Sequence, residues 1–322
     1  MNWKCMMLAC AGAIAMGGTQ AADNWPTQPL TLVVGYSPGG PVDTTARTFA
    51  KYLSEELGQT VVVENRTGAS GMIAAQSTAR APADGYTINF VASPTLTITP
   101  LIQKGARLDL DNDFSYIGTM VDYTNVLVIN KDLPIKNVQE LVTHSKKNPD
   151  TVSFGSAGVG ASNHLSAELL KQKTDANMLH VPYRGNSPAM MDVIGGKITF
   201  MFDIISTAKT YIDSGRVRAL AVTSRERNEG LPDVPTMIEA GVKDYAVTGW
   251  YGLIGPKQLP EHVRARLESA MKTITKNPEF VKNMKQGGYT IDVYSGAALH
   301  ERAKKEYALW ADVIKKAGIR VD

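Results

Sequence analysis

Two hydrophobic rhythms alternate along this chain. Short β-branched and aromatic runs give way to turns, and the turns to stretches whose apolar residues recur every three or four positions. That is the pattern of strands alternating with amphipathic helices. It predicts a strand at 30–35, a helix at 43–57, a strand at 60–64, a helix at 69–80 and a strand at 86–91. The 43–57 helix carries Ala46, Phe49, Ala50, Leu53 and Leu57 on one face. Such alternation builds a parallel sheet with right-handed crossovers. Two β-rich runs between Phe114 and Asn130, split by the polar Asp122-Tyr123-Thr124-Asn125, read as a crossing into a second unit of the same kind. That unit holds helices at 136–147, 188–195 and 206–214, with strands between them. The stretch 246–255 reads as the return. The remainder is helical and is assigned to the first unit, with stripes at Val263, Leu267, Ala270, Met271, Ile274 and at Leu299, Ala303, Tyr307, Trp310, Ile314. Lobes joined by two crossings form a hinge.

Each unit contains a strand that feeds a glycine-rich turn and then a helix. In the first, Leu30–Val34 leads through Gly35, Gly39 and Gly40. In the second, Val152–Phe154 leads through Gly155, Gly158 and Gly160 to a helix that Ser162 or Asn163 can cap. Free N–H groups and the helix dipole make such a turn a ready anion site; the alternative is an ordinary turn needing glycine for positive φ. Ligands in such sheets sit beyond the carboxyl ends of the strands. Arg66 and Arg184 each follow a strand, where a guanidinium can hold a carboxylate bidentately. For each, the alternative is an ion pair on the surface or within its lobe.

Composition adds little beyond "globular": 322 residues, 43% hydrophobic, 20% charged, net charge +3. No basic stripe with interleaved aromatics points to nucleic acid. The N-terminus changes the picture more. Lys4, an apolar run from Met6 to Met16 and the small residues before Asp23 read as a secretory signal peptide, residues 1–22, removed after Ala21 or Ala22. Both cysteines, Cys5 and Cys10, lie within it, so the mature chain has no disulfide or cysteine nucleophile. The expected location is the periplasm.

Motifs for catalysis are missing. No histidine pair has metal-ligand spacing, so no metal is expected. Pro41 stands where a Walker lysine is required, and His164 replaces the last glycine of a nucleophile elbow. Neither loop is a dinucleotide fingerprint. His164 reads as a residue packed behind its loop, and Asp43 as a cap of the 43–57 helix.

YSPGGPVDTTAR (36–47), ENRTGASG (64–71), ADGYT (83–87), GSAGVGASNH (155–164), VPYRGNSPA (181–189) and RALAVTSRER with LPDVPTMIEAG (218–241) occur in one order. Together they resemble the periplasmic solute-binding proteins of tripartite tricarboxylate transporters, the Bug family, over essentially the whole mature chain. The resemblance implies a type II periplasmic-binding-protein fold, two α/β lobes joined by two crossing strands with a ligand cleft between them. The lobes are expected at 23–122 plus 250–322 and at 123–249. It implies a monomeric receptor, not an enzyme and without cofactor, that binds a small carboxylate and delivers it to the permease subunits of an ion-gradient-driven transporter. Carried onto this sequence, the ligand residues are Tyr36, Ser37 and Gly39, with Gly40 and Asp43 shaping the turn, then Ser156, Gly160, Ala161, Ser162 and Asn163, and at strand ends Ser93, Thr95 and Asp203. Arg184 joins them through its own position.

Asp203 is paradoxical, since a carboxylate repels an anionic ligand. It can hold a water, orient N–H donors, select ligands with a donor group, or simply cap the following helix. Two departures from the family pattern, Tyr36-Ser37 and the proline-free 202–212, face the cleft and bear on which acid is taken, aliphatic or aromatic. Two other uses of the fold stay open: a sensor partner of a membrane signalling protein, and a hydrolase using Ser162 or Ser156.

Overall fold

The computed structural model describes residues 25–183 and 185–319. The segment read as a signal peptide and Arg184 lie outside them. Two sheets form the frame. The first contains β1 (Leu30–Val34), β2 (Val61–Asn65), β3 (Thr87–Ala92), β4 (Phe114–Tyr123), β10 (Gly249–Pro256) and β11 (Tyr289–Ile291), in the order β11-β4-β10-β3-β1-β2. The second contains β5 (Asn125–Asn130), β6 (Ser153–Ser156), β7 (Leu179–Pro182), β8 (Phe200–Ile204) and β9 (Val217–Val222), in the order β7-β6-β8-β5-β9. β1 runs parallel to β2 and β3, and β6 parallel to β7 and β8. The crossing strands β4, β10 and β5 pair antiparallel with their neighbours.

Alternation along the strands gives each sheet two buried faces. On β3, Ile88 and Phe90 enter one core and Val91 the opposite one; on β5, Leu127 and Ile129 face one core and Val126 and Val128 the other. Helices cover these faces. α1 (Pro41–Leu57) buries Ala46, Phe49, Leu53 and Leu57 on the first sheet and ends at Gly58 with φ 67°. Its start at Pro41 precedes the expected Asp43 because proline suits the first helical turn, where its missing N–H is not needed. α2 is Met72–Ala79. The predicted single helix 69–80 is broken at Ala69, Ser70 and Gly71, all at positive φ.

The stretch after β3, expected only as a strand end, folds into α3 (Ser93–Thr97) and α4 (Thr99–Ile102). The second lobe carries α5 (Val138–Lys147), α6 (Ser162–Thr174), α7 (Asn186–Ile194) and α8 (Ile205–Asp213). The C-terminal helices are α9 (Glu261–Ile274), α10 (Pro278–Gln286) and α11 (Gly296–Ala317).

α11 differs from its assignment to the first lobe alone. Its early residues Leu299 and Ala303 pack on the first sheet, while Trp310, Val313 and Ile314 lie in the core of the second. Gln172 Nε2 donates to Val313 O at 2.8 Å. Where α11 passes the crossing strands, Arg302 donates to both oxygens of Asp122 at 2.9 and 2.7 Å, to Asp292 at 3.3 Å and to Glu306 at 2.9 Å. Glu306 also accepts from Trp250 Nε1 at 2.9 Å. Burial pushes Glu306 up to about 7 against the pull of Arg302.

Candidate functional site

The carboxyl ends of the parallel strands in both sheets face each other across a cavity of about 580 Å³, within the range of small-molecule sites. The first lobe contributes the β1–α1 turn. Gly39 N donates to Asp43 Oδ2 at 2.8 Å, and Asn65 Nδ2 donates to Asp43 Oδ1 at 2.8 Å and to Tyr36 O at 2.9 Å. Burial raises the Asp43 carboxyl, but the bonds from Arg47, Gly39 and Asn65 outweigh it and hold it below the ordinary range. Asp43 thus shapes the turn from the third position of α1, a reach-back cap of the kind found in capping boxes.

Tyr36 lines the cavity. Its hydroxyl lies 3.1 Å from Thr95 Oγ1 and 3.2 Å from Ser70 O, and burial raises its pKa. Thr95 Oγ1 donates to Ser70 O at 2.9 Å. Tyr123 and Tyr251, on the crossing strands, extend the aromatic wall, their rings 5.0 Å apart. The Tyr123 phenol lies beside Ser93 and Ser162, and burial raises its pKa.

The second lobe presents the starts of α6, α7 and α8. Ala161, not Ser162 or Asn163, is the N-cap of α6, so the expected side-chain cap is replaced by another device. From the second position of the helix, Asn163 Oδ1 accepts from Ala157 N at 3.1 Å and His164 N at 3.0 Å. Gly160, at φ 79°, donates its N–H to His164 Nδ1 at 3.0 Å. His164 stacks on His180 with rings 3.8 Å apart. Burial first, then His180 and Lys171, lowers His164 to about 3, so the imidazole is neutral and accepts from the loop.

Of the residues singled out in the sequence, Tyr36, Ser37, Gly39, Gly160, Ala161, Ser162 and Asn163 line the cavity. Ser93, Thr95, Ser156 and Asp203 are buried behind its walls. Ser93 and Thr95, carried over as strand-end positions, open α3. Ser156 has no exposed surface and lies 2.6 Å from His180 Nε2. Arg66 pairs inside its own lobe, with Glu64 at 2.7 Å. Thr67, Ser70, Asn186, Ser187 and Thr207 also line the cavity. The quoted motifs ENRTGASG and VPYRGNSPA contain all of these but Thr207, and their place just after strands was the available signal. The described lining has no ionisable side chain except tyrosine. Among the described residues no cluster of acidic, histidine or cysteine side chains could hold a metal.

A family model described as TctC, tripartite tricarboxylate transporter family receptor, matches residues 45–319. The chain belongs to the TctC family. This TctC protein is similar to the solved structure of the periplasmic binding protein BugD, at 36% identity and TM-score 0.80 over 92% of this chain and 99% of that one. It is similar to R. palustris Rpa4515 with adipate, at 31% identity and TM-score 0.84 over 92% and 99%. It is also similar to MatC from Rhodopseudomonas palustris with bound malate, at 28% identity and TM-score 0.79 over 90% and 100%. The TctC fold is therefore that of the two-lobed periplasmic solute-binding proteins.

Proposed function

We propose that this TctC protein is an exported periplasmic receptor that clamps a small carboxylate between its lobes and delivers it to the membrane subunits of a tripartite transporter. One observation carries the reading. The starts of α1, α6, α7 and α8 converge on a cavity whose described lining bears hydroxyls, amides and backbone N–H groups but no carboxylate. Orphan N–H groups and helix dipoles favour an anion there, and water bridges can complete its shell. The acids in two similar structures, adipate and malate, support a carboxylate. The tyrosine wall suits the carbon skeleton between or beyond the charged groups. Ser162 lines this space, and among the described lining residues there is no histidine or carboxylate to act as its base, which favours binding over hydrolysis.

A thermal-shift screen of the mature protein against aliphatic and aromatic acids tests this. Ligand at 100 times its Kd adds about 2.7 kcal/mol, a rise on the order of 5 °C. A well-folded protein that responds to no acid, and releases none on unfolding, would refute the reading.

A further inference from the structure

A carboxylate buried behind an anion site calls for an explanation, and the hydrogen bonds around Asp203 supply one. Asp203 is 1% exposed. Its Oδ1 accepts from Ile204 N at 2.8 Å, at the entrance to α8, and from Asn186 Nδ2 at the first position of α7. Asn186 Oδ1 in turn accepts from Asn163 Nδ2 at 3.1 Å, and Asn163 Oδ1 accepts from Ala157 N and His164 N. One chain of side chains therefore ties together the starts of α6, α7 and α8.

The direction of this chain is fixed from both ends. Above about pH 6, where the Asp203 carboxyl is ionised despite its burial, it only accepts, so Asn186 turns its NH₂ inward to it. Backbone N–H groups only donate, so Asn163 must turn its carbonyl to Ala157 and His164. Both amide oxygens are thereby engaged inside the wall, while each amide nitrogen keeps a second N–H. Asn163 and Asn186 both line the cavity.

We propose that Asp203 is a positioning residue that locks the polarity of the Asn186 and Asn163 amides, so that this wall offers hydrogen-bond donors and selects an acceptor-only head group. The head group is an ionised carboxylate rather than a carboxamide. The inference rests on the receptor reading and deepens it. Asp203 contributes its accepting oxygen; its carboxylate is buried and does not itself line the cavity.

The test is calorimetry on the mature protein, with adipate and malate as first probes, a wider acid panel behind them, and the diamide of whichever acid binds. Wild type is expected to bind the acid at least tenfold more tightly than the diamide. Asp203→Asn keeps an oxygen for Ile204 N and Asn186, and should bind within threefold of wild type. Asp203→Leu removes both charge and acceptor. A simple loss of repulsion would tighten anion binding; the polarity lock predicts at least tenfold weakening. Asn186→Leu, at the half-exposed middle link, should weaken binding similarly. The double variant Asp203→Leu/Asn186→Leu should be no more than threefold worse than the weaker single.

Equal binding of acid and diamide, an Asp203→Asn protein as weak as Asp203→Leu, or multiplicative losses in the double variant would each overturn the proposal. If Asp203→Leu does not fold, Asn186→Leu decides, and wild-type affinity there would overturn it. Should no acid bind the wild-type protein, the receptor reading itself fails. Should acids bind every variant alike, only the polarity lock fails.

Discussion

Gly160→Ala probes whether the second lobe's glycine loop closes against the first. Gly160 has φ 79°, where a side chain costs roughly 1–2 kcal/mol. A Cβ there would overlap the δ-methyl of Ile102 and come within 3.2 Å of its Cγ1 and 3.8 Å of Ile98 Cγ2. Ile102 is 6% exposed, so its end cannot simply swing into solvent. Overpacking of this kind costs roughly 1–3 kcal/mol. The backbone strain is present with or without ligand, but Ile102 lies between β3 and β4 and Gly160 between β6 and α6. If closing the cleft brings them together, the overlap falls on the closed form alone. Ligand affinity should then drop roughly 5- to 150-fold, the equivalent of 1–3 kcal/mol. Ile102→Val deletes the overlapping methyl, at a cost of about 0.5–1.5 kcal/mol on its own. Calorimetric Kd values for the four members of the Gly160→Ala/Ile102→Val cycle should show a coupling of at least about 1 kcal/mol. An unchanged Kd with a lowered Tm would refute the reasoning, because the contact would then persist when the ligand leaves.

Three further outcomes are expected. Ser162→Ala should weaken carboxylate binding by about 1–2 kcal/mol; an unchanged Kd by calorimetry removes Ser162 from the site. His164, held near 3, stays neutral in the fold while the unfolded chain takes up a proton below about 6.5. Its contribution is full above that pH and is lost as pH falls toward 3, by about 2 kcal/mol at pH 5. Urea unfolding should show the gap between wild type and His164→Gln narrowing by that amount between pH 7 and 5, and a constant gap counts against it. Asp203 near 6 and Glu306 near 7 work in the opposite sense, losing stability as pH rises from about 4, so the comparison must be with the variant and not with a single curve. Arg302→Met strands Asp122, Asp292 and Glu306 without their cation and should cost about 3–5 kcal/mol, read as a drop in Tm, with Asp292→Asn restoring part of it.

The architecture was legible because each element carries its own period. Phe49 and Leu53, or Val263 and Leu267, announce a helix and its buried face without reference to anything distant. Nothing in the sequence pattern announced α3, whose Pro94 sits in its first turn and so starts rather than stops a helix. β11 was invisible for a different reason: three residues carry no period, and it exists because Tyr289 pairs with Tyr123 far back in the chain. The stripe on α11 was correctly placed, but periodicity cannot say which core a stripe enters, and Trp310 and Ile314 enter the second. The same limit applied at the site. Ser37, Gly160 and Ser162, named through the family resemblance, lie along the cavity wall. The burial of Ser156 and Asp203 behind the walls, and the roles of Tyr123, Tyr251 and Asn186, follow from strand order, which no local pattern encodes.

That strand order bears on how the chain is made. β10 fills the gap between β3 and β4, so the first lobe waits with an unfilled sheet until the entire second lobe has been synthesised. The second lobe waits in turn for the end of α11 to complete its core. Long-range pairing of this kind is slow to form, and neither half can finish early and lock. A nascent chain built on this plan therefore completes neither the sheet of the first lobe nor the core of the second until its last helix has been made.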